Sequence, residues 1–219
     1  DVRATNWTVA WPLGLTWRNV TLTKPDWAPI QLAHLDAKVG LLTALTGRLH
    51  LDVEARLGDA AFNTGLAKAA LTAPSWSLAE GSVSVKGRLQ QIDLSQLLGR
   101  YVSHGVLNGD FSHHIESVHT ATSSLKGEGT WKADATDLAI DHIPLGNGRT
   151  LSLAFTTVSA GLACQDSICN VTELKGDGID GSFTGQGTIT LQQPIQNSQL
   201  ALTVTVTPGT GFSPKAETL

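Results

Sequence analysis

The sequence contains no methionine, only 5% aromatic residues and only 16% charged residues. Two cysteines rule out a dense disulfide framework and also a four-cysteine zinc site. No run of about 18 uninterrupted apolar residues occurs, so no segment is suited to cross a bilayer as a helix. Lysine and arginine total 15 against 19 acidic residues, for a net charge of −4, and they form no basic cluster. A sequence-independent grip on a phosphate backbone therefore has nothing to work with, and nucleic acid is not an expected partner. The chain starts at Asp1 with neither an initiating Met nor a signal peptide, so the expectation is that any membrane anchor lies upstream.

What the chain has in quantity is Leu (30), Thr (25) and Gly (22). It is too apolar for disorder and too poor in Lys, Glu and Arg runs for a helical bundle. Period-2 alternation supplies the positive signal. From Leu49 to Leu57 every odd residue is apolar and every even one polar, the mark of a strand with one wet and one dry face. The same alternation recurs over 81–86, 151–155, 187–191 and 200–207, where Pro208 ends it. Trp131, Ala133 and Ala135 are odd whereas Leu138 and Ile140 are even, so a bulge or turn is expected near Thr136–Asp137. Turns are expected at Leu57–Asp59, Leu107–Asp110, Leu145–Gly148 and Asp177–Gly181, spacings that fit consecutive antiparallel hairpins. No βαβ alternation is present.

One segment breaks the rule. Leu94, Leu97, Leu98 and Tyr101 fall at helical spacing, which predicts a short helix over 92–102 capped by Asp93 or Ser95. Near the amino end, Trp7, Val9, Trp11, Leu13 and Leu15 alternate up to Trp17, and Trp27 follows. That pattern suits an amphipathic terminal strand packing its indoles on the core, or an aromatic contact surface.

Candidate chemistry is sparse. Cys164 and Cys169 stand as Cys-x4-Cys, a spacing that suits a hairpin loop with facing flanks, and a disulfide is expected there. An oxidising compartment would follow from that bond. His113, His114 and His119 surround Glu116, but successive strand residues point to opposite faces, so a polar solvated strand is the simpler reading than a metal site. Gly-x-Ser-x-Gly, a nucleophile placed before a helix and paired carboxylates in apolar settings are all missing. The Gly176–Gly181 stretch lacks the Lys-Ser/Thr ending of a phosphate loop and reads as a turn, with Asp177 and Asp180 as a weaker calcium alternative. Asn6, Asn19 and Asn170 begin sequon triplets of the kind that a Thr-rich chain produces by chance.

The stretch Trp11–Pro25, with Leu35–Val39 and Leu41–Leu51, is similar to the early segment of AsmA-like periplasmic proteins. Ile92–Leu97, Gly105–Gly109, Leu174–Gly178 and Gly185–Leu191 resemble the type II secretion system protein N (GspN) family. The likeness runs over nearly the whole chain in soft Leu and Gly patterns. It implies a periplasmic domain on the bacterial inner membrane, without catalytic activity or cofactor, that works with other inner-membrane components of the secretion apparatus. It also implies a long, curved antiparallel sheet with an apolar concave face, and the wider group suggests a lipid-binding or lipid-transfer protein of envelope biogenesis as the alternative. The expected fold is a single mainly β domain over 1–219 with one short helix. Leu49, Leu51, Val53, Val83, Val85, Leu151, Leu153, Phe155, Ile189, Leu191, Leu202 and Val204 are the candidate lining of an apolar groove. Such strands must close on themselves, pair with a second sheet, or leave that groove open. Oligomeric state is not legible.

Overall fold

The structure, a computed structural model, describes residues 2–10, 13–23, 29–58, 63–76, 82–99, 101–116, 127–144, 149–192 and 197–212. Among the described residues the chain is mainly β, 78% strand, and they form one curved, unclosed antiparallel sheet of twelve strands. These are β1 (Val2–Ala10), β2 (Gly14–Leu22), β3 (Ile30–Val39), β4 (Leu49–Gly58), β5 (Asn63–Ala73), β6 (Val83–Asp93), β7 (Val102–Ile115), β8 (Gly127–Pro144), β9 (Thr150–Gln165), β10 (Ile168–Gly178), β11 (Gly181–Thr190) and β12 (Gln199–Pro208). Spatial order equals chain order, so every strand pairs with its sequence neighbours and the sheet is one continuous meander. At about 4.8 Å per strand, it is about 53 Å across.

Apolar side chains stay on one face even where the period-2 pattern slips. Asn19, Gln91, Asp137 and His142 have φ near +50 to +60° and sit where apolar residues step by three: Trp17 to Val20, Leu89 to Ile92, Ala135 to Leu138, and Ile140 to Ile143. The pairing of β6 with β7 skips a residue between Leu89 and Ile92, and that of β8 with β9 skips between Ile140 and Ile143. Each inserted residue restores the phase and adds twist. The bulge expected at Thr136–Asp137 is present, with Asp137 at φ 51°.

Two short helices interrupt the meander. α1 (Leu41–Leu45) joins β3 to β4 and buries no residue. α2 (Leu94–Leu98) joins β6 to β7, and Asp93 caps it by accepting the Ser95 N–H at 2.9 Å. The helix expected over 92–102 is thus cut to five residues, because the strands claim both ends: Ile92 and Asp93 pair with Leu107 and Val106, and Val102 pairs with Ile140. Leu94 turns inward, whereas Leu98 and Tyr101 are exposed.

Two further expectations need correction. Leu107–Asp110 is not a turn; it runs through the middle of β7, with Asn108 accepting the Gln91 N–H of the neighbouring bulge. The amino-terminal aromatic segment is a hairpin, not one strand, with Trp7 directly opposite Trp17. Trp7 remains 66% exposed, so its indole is not packed on a core. The turn at Ile179–Asp180 is as expected, while Trp11, Trp27, His119 and the Leu145–Gly148 turn lie outside the described residues.

No second layer covers the sheet among the described residues. The chain exposes 13736 Å², where a close-packed monomer of this mass would expose about 9,700 Å². Among the described residues the largest side chains below 2% exposure are Ile92 and Val20.

Candidate functional site: one apolar face

Residues directly opposite in a ladder share a face, so the register decides which side chains line it. One row runs Leu51, Leu71, Val85, His113, Gly129, Cys164, Cys169, Ile189, Leu200, crossing nine strands without leaving the apolar face. A parallel row runs Val53, Ala69, Gly87, Phe111, Trp131, Leu162. By the same parity Leu49, Val83, Leu191, Leu202 and Val204 stand on this face, and Leu151, Leu153 and Phe155 join it through a step of three in β9, from Val158 to Phe155, opposite the step from Ala135 to Leu138.

The twelve candidate groove residues therefore share a surface, but they do not converge on one pocket. Leu49 and Val83 lie at the α1 end of the strands, and Leu151 and Leu153 at the α2 end. Val83 and Phe155 are buried, Leu202 and Val204 are exposed, and the other eight are half-buried.

The two ends of the face differ. At one end α2 folds over it: Leu94 packs with Val102, Ala135, Leu138 and Phe155, and Leu97 reaches the cluster formed by Val20, Leu32, Leu57 and Ile92. Phe155 and Phe183 meet edge to face beside that cover, with centroids 5.1 Å apart. At the other end the face stays open as an apolar cavity of about 360 Å³ between Val9, Leu13, Leu15, Val39, Leu51 and Trp76.

Glycines keep the surface between the ends low. A Cβ on Gly87 would stand 2.2 Å from the Phe111 ring, one on Gly129 2.1 Å from His113 Nδ1, and one on Gly176 2.2 Å from Phe183. Each ring lies across its neighbouring strand instead of standing into the trough, and Phe111 also stacks on Trp131 at 4.7 Å. Gly opposite an aromatic was the sequence signal for this, legible only once the register is known.

His113 and His114 point to opposite faces. His113 Nδ1 is shielded from solvent without a hydrogen-bond partner, and burial, with His114 beside it, holds the ring below the ordinary imidazole range. Its ring lies close over Gly129 of the neighbouring strand. His114 is tied to Ser84 at 2.7 Å on the outer face, while Glu116 is exposed.

Cys164 and Cys169 are joined by a disulfide, as expected, on the trough face. The turn is tighter than a four-residue loop: Gln165 and Ile168 also pair, leaving Asp166 and Ser167 at the tip. Asp180, weighed with Asp177 for calcium, turns inward instead, and its Oδ2 accepts the Ala154 N–H at 2.6 Å.

The opposite face is charged. Asp36, Glu54, Lys68, Arg88, Asp110 and Lys132 form one cross-strand row over six strands. Lys68 contacts Glu54 at 3.0 Å and Arg88 contacts Asp110 at 2.8 Å. Burial works against the Asp36 charge, but hydrogen bonds from Thr16 and His34 outweigh it and hold the carboxyl below its ordinary range. The row reads acidic, acidic, basic, basic, acidic, basic and lines a cleft of about 740 Å³, and its mixed signs suit a solvated face better than a site for one kind of ion.

No family model, curated protein or solved structure matches the chain.

Proposed function

We propose that the chain is a non-enzymatic periplasmic domain of an inner-membrane component of a bacterial type II secretion system, acting in protein secretion across the outer membrane. The sequence resemblance supports this reading. The observation that carries it is the single-layer sheet, whose apolar face and outer strands are available to extended segments of other secretion components. The disulfide accords with an oxidising compartment.

A second reading, an acyl-chain carrier of envelope biogenesis, is favoured by the continuous apolar path from the Val9–Trp76 cavity to the α2 cover. One purification separates the two. The domain is isolated from cells without detergent stripping, extracted with organic solvent, and examined for phospholipid by mass spectrometry, while co-purifying proteins are identified. Secretion components recovered with lipid-free protein support the first reading. Stoichiometric phospholipid, lost on Val53→Asp, supports the second. Recovery of neither secretion components nor phospholipid would overturn both readings.

A further inference from the structure

Strand β12 forms one edge of the sheet. Every residue from Gln199 to Pro208 except its chain ends could carry a protective device, yet none is charged and proline comes only at position 208. All ten residues are exposed, and pairing with β11 runs from Gly181↔Pro208 to Thr190↔Gln199 without a register slip. Natural edges are blunted by lysine, proline, bulges or a covering loop, because unpaired backbone groups otherwise recruit another strand. Among the described residues, none of these protects β12.

Backbone orientation fixes which groups are on offer. The carbonyls of Ala201 and Thr207 lie against Gly187 and Gly181 of β11, and the Gly209 N–H beyond them donates to Asp180 O at 2.9 Å. Odd-numbered residues thus bond inward, so Leu200, Leu202, Val204 and Val206 direct N–H and C=O outward.

The strand also reads as its own partner. About Thr203, Leu202 mirrors Val204, Ala201 mirrors Thr205, Leu200 mirrors Val206 and Gln199 mirrors Thr207. Antiparallel pairing in this register sets apolar against apolar on the trough face, and small or polar residues against Thr on the other. We propose that β12 pairs with β12 of a second copy of this chain about a two-fold axis at Thr203. The four outward-facing residues of each copy then exchange about eight backbone hydrogen bonds. A two-fold axis normal to the sheet joins the two apolar faces into one continuous trough. The contact closes on itself, whereas pairing of β12 with the β1 edge would run on as a filament. This inference does not rest on the secretion reading.

Thr203 faces its own copy at a non-hydrogen-bonded position, the closest approach in an antiparallel ladder. The chain's two cysteines are already bonded to each other, so Thr203→Cys adds one free thiol. Mild oxidation should link Thr203→Cys into a covalent dimer. Thr207→Cys should stay unlinked, since two copies of position 207 would be about 27 Å apart. Light scattering across a concentration series should give twice the chain mass for the unmodified protein. Val204→Pro should return it to a monomer with an unchanged far-ultraviolet spectrum, because it deletes only an outward N–H. Should that variant fail to fold, Thr203→Lys sets two like charges across the axis and should also yield monomer. A single monomeric mass at all concentrations, growth past the dimer, or equal linking at 203 and 207 overturns the proposal.

Discussion

Gly87 lies beneath the ring of Phe111: a Cβ there would come within 2.2 Å of Phe111 Cζ and 2.7 Å of the Lys68 carbonyl. The second neighbour is backbone and cannot move aside. Phe111 is further held by Trp131, at an interplanar angle of 14°. The pair fixes both the register of β6 against β7 and the height of the trough floor.

Gly87→Ala should therefore destabilise the fold by about 1–3 kcal/mol, as overpacking does. Urea denaturation at constant m-value measures it. Phe111→Leu should relieve part of the cost in the double variant, and the coupling between the two sites separates a ring clash from a general glycine effect. Simple additivity would show that Phe111 is not what Gly87 accommodates.

Asp180 ties three parts of the sheet together. Its carboxylate accepts the Ala154 N–H of β9, its own carbonyl accepts the Gly209 N–H beyond β12, and it sits in the β10–β11 turn with 4% exposure. Asp180→Ala leaves a part-buried N–H without its acceptor and should cost about 1 kcal/mol. Asp180→Asn keeps an acceptor oxygen in the same place and should retain most of the stability. Equal losses in the two variants would mean that charge, not the hydrogen bond, matters there.

Much of this architecture is legible from alternation alone. Once Leu49–Leu57 reads as a strand with its odd side dry, the faces of the other alternating segments follow, and the candidate groove residues fall on one side. The bulges were harder. Gln91 and His142 adopt positive φ without glycine, asparagine or aspartate, so no turn residue announces them; only the step of three between apolar positions does. Asn108–Gly109 looked like a turn because its local chemistry is that of one, but the Gln91 bulge opposite uses Asn108 as an acceptor and keeps β7 straight. For α2, helical spacing was right where Leu94 and Leu97 meet the sheet and wrong where strand pairing took the flanks. α1 carries no buried face, so no pattern in Leu41–Leu45 could distinguish it from strand.

Acid should weaken one contact on the outer wall. The Lys68 ammonium, hydrogen-bonded to Glu54, outweighs partial burial and, with Arg56, holds the Glu54 carboxyl below its ordinary value of 4.5. A carboxyl depressed in the folded state contributes stability that is present above about pH 4.5 and lost as pH falls through the lower folded value. Lys68 is more than half exposed, so the contribution is about 0.5 kcal/mol or less. The midpoint difference between the parent and Lys68→Met should be present at pH 7 and shrink as pH falls below about 4.5. A difference that persists in acid would point to packing of the lysine stem instead.

The trough itself makes the sharpest claim. Val53 and Ala69 lie side by side on adjacent strands with Val85 diagonal to Ala69 on the next, all half-buried by their neighbours, with no second layer above them among the described residues. A filled sandwich would shield these positions, whereas an open apolar face should bind an environment-sensitive dye while the protein is fully folded. The native protein should therefore enhance dye fluorescence at neutral pH, and the signal should fall as the sheet unfolds in urea. A partly folded state would instead give a maximum in mid-transition. Val53→Asp places a carboxylate in the middle of the floor, and Ala69→Asp one strand away. Each should cut dye binding severalfold while leaving the far-ultraviolet spectrum in place, because a half-buried carboxylate on an open face keeps contact with water. Leu97→Asp acts at the covered end, where α2 meets the Ile92 cluster, and should cost stability more than dye binding. If Val53→Asp unfolds the chain as Leu97→Asp does, and the parent binds no dye, the apolar face is covered and the open trough is wrong.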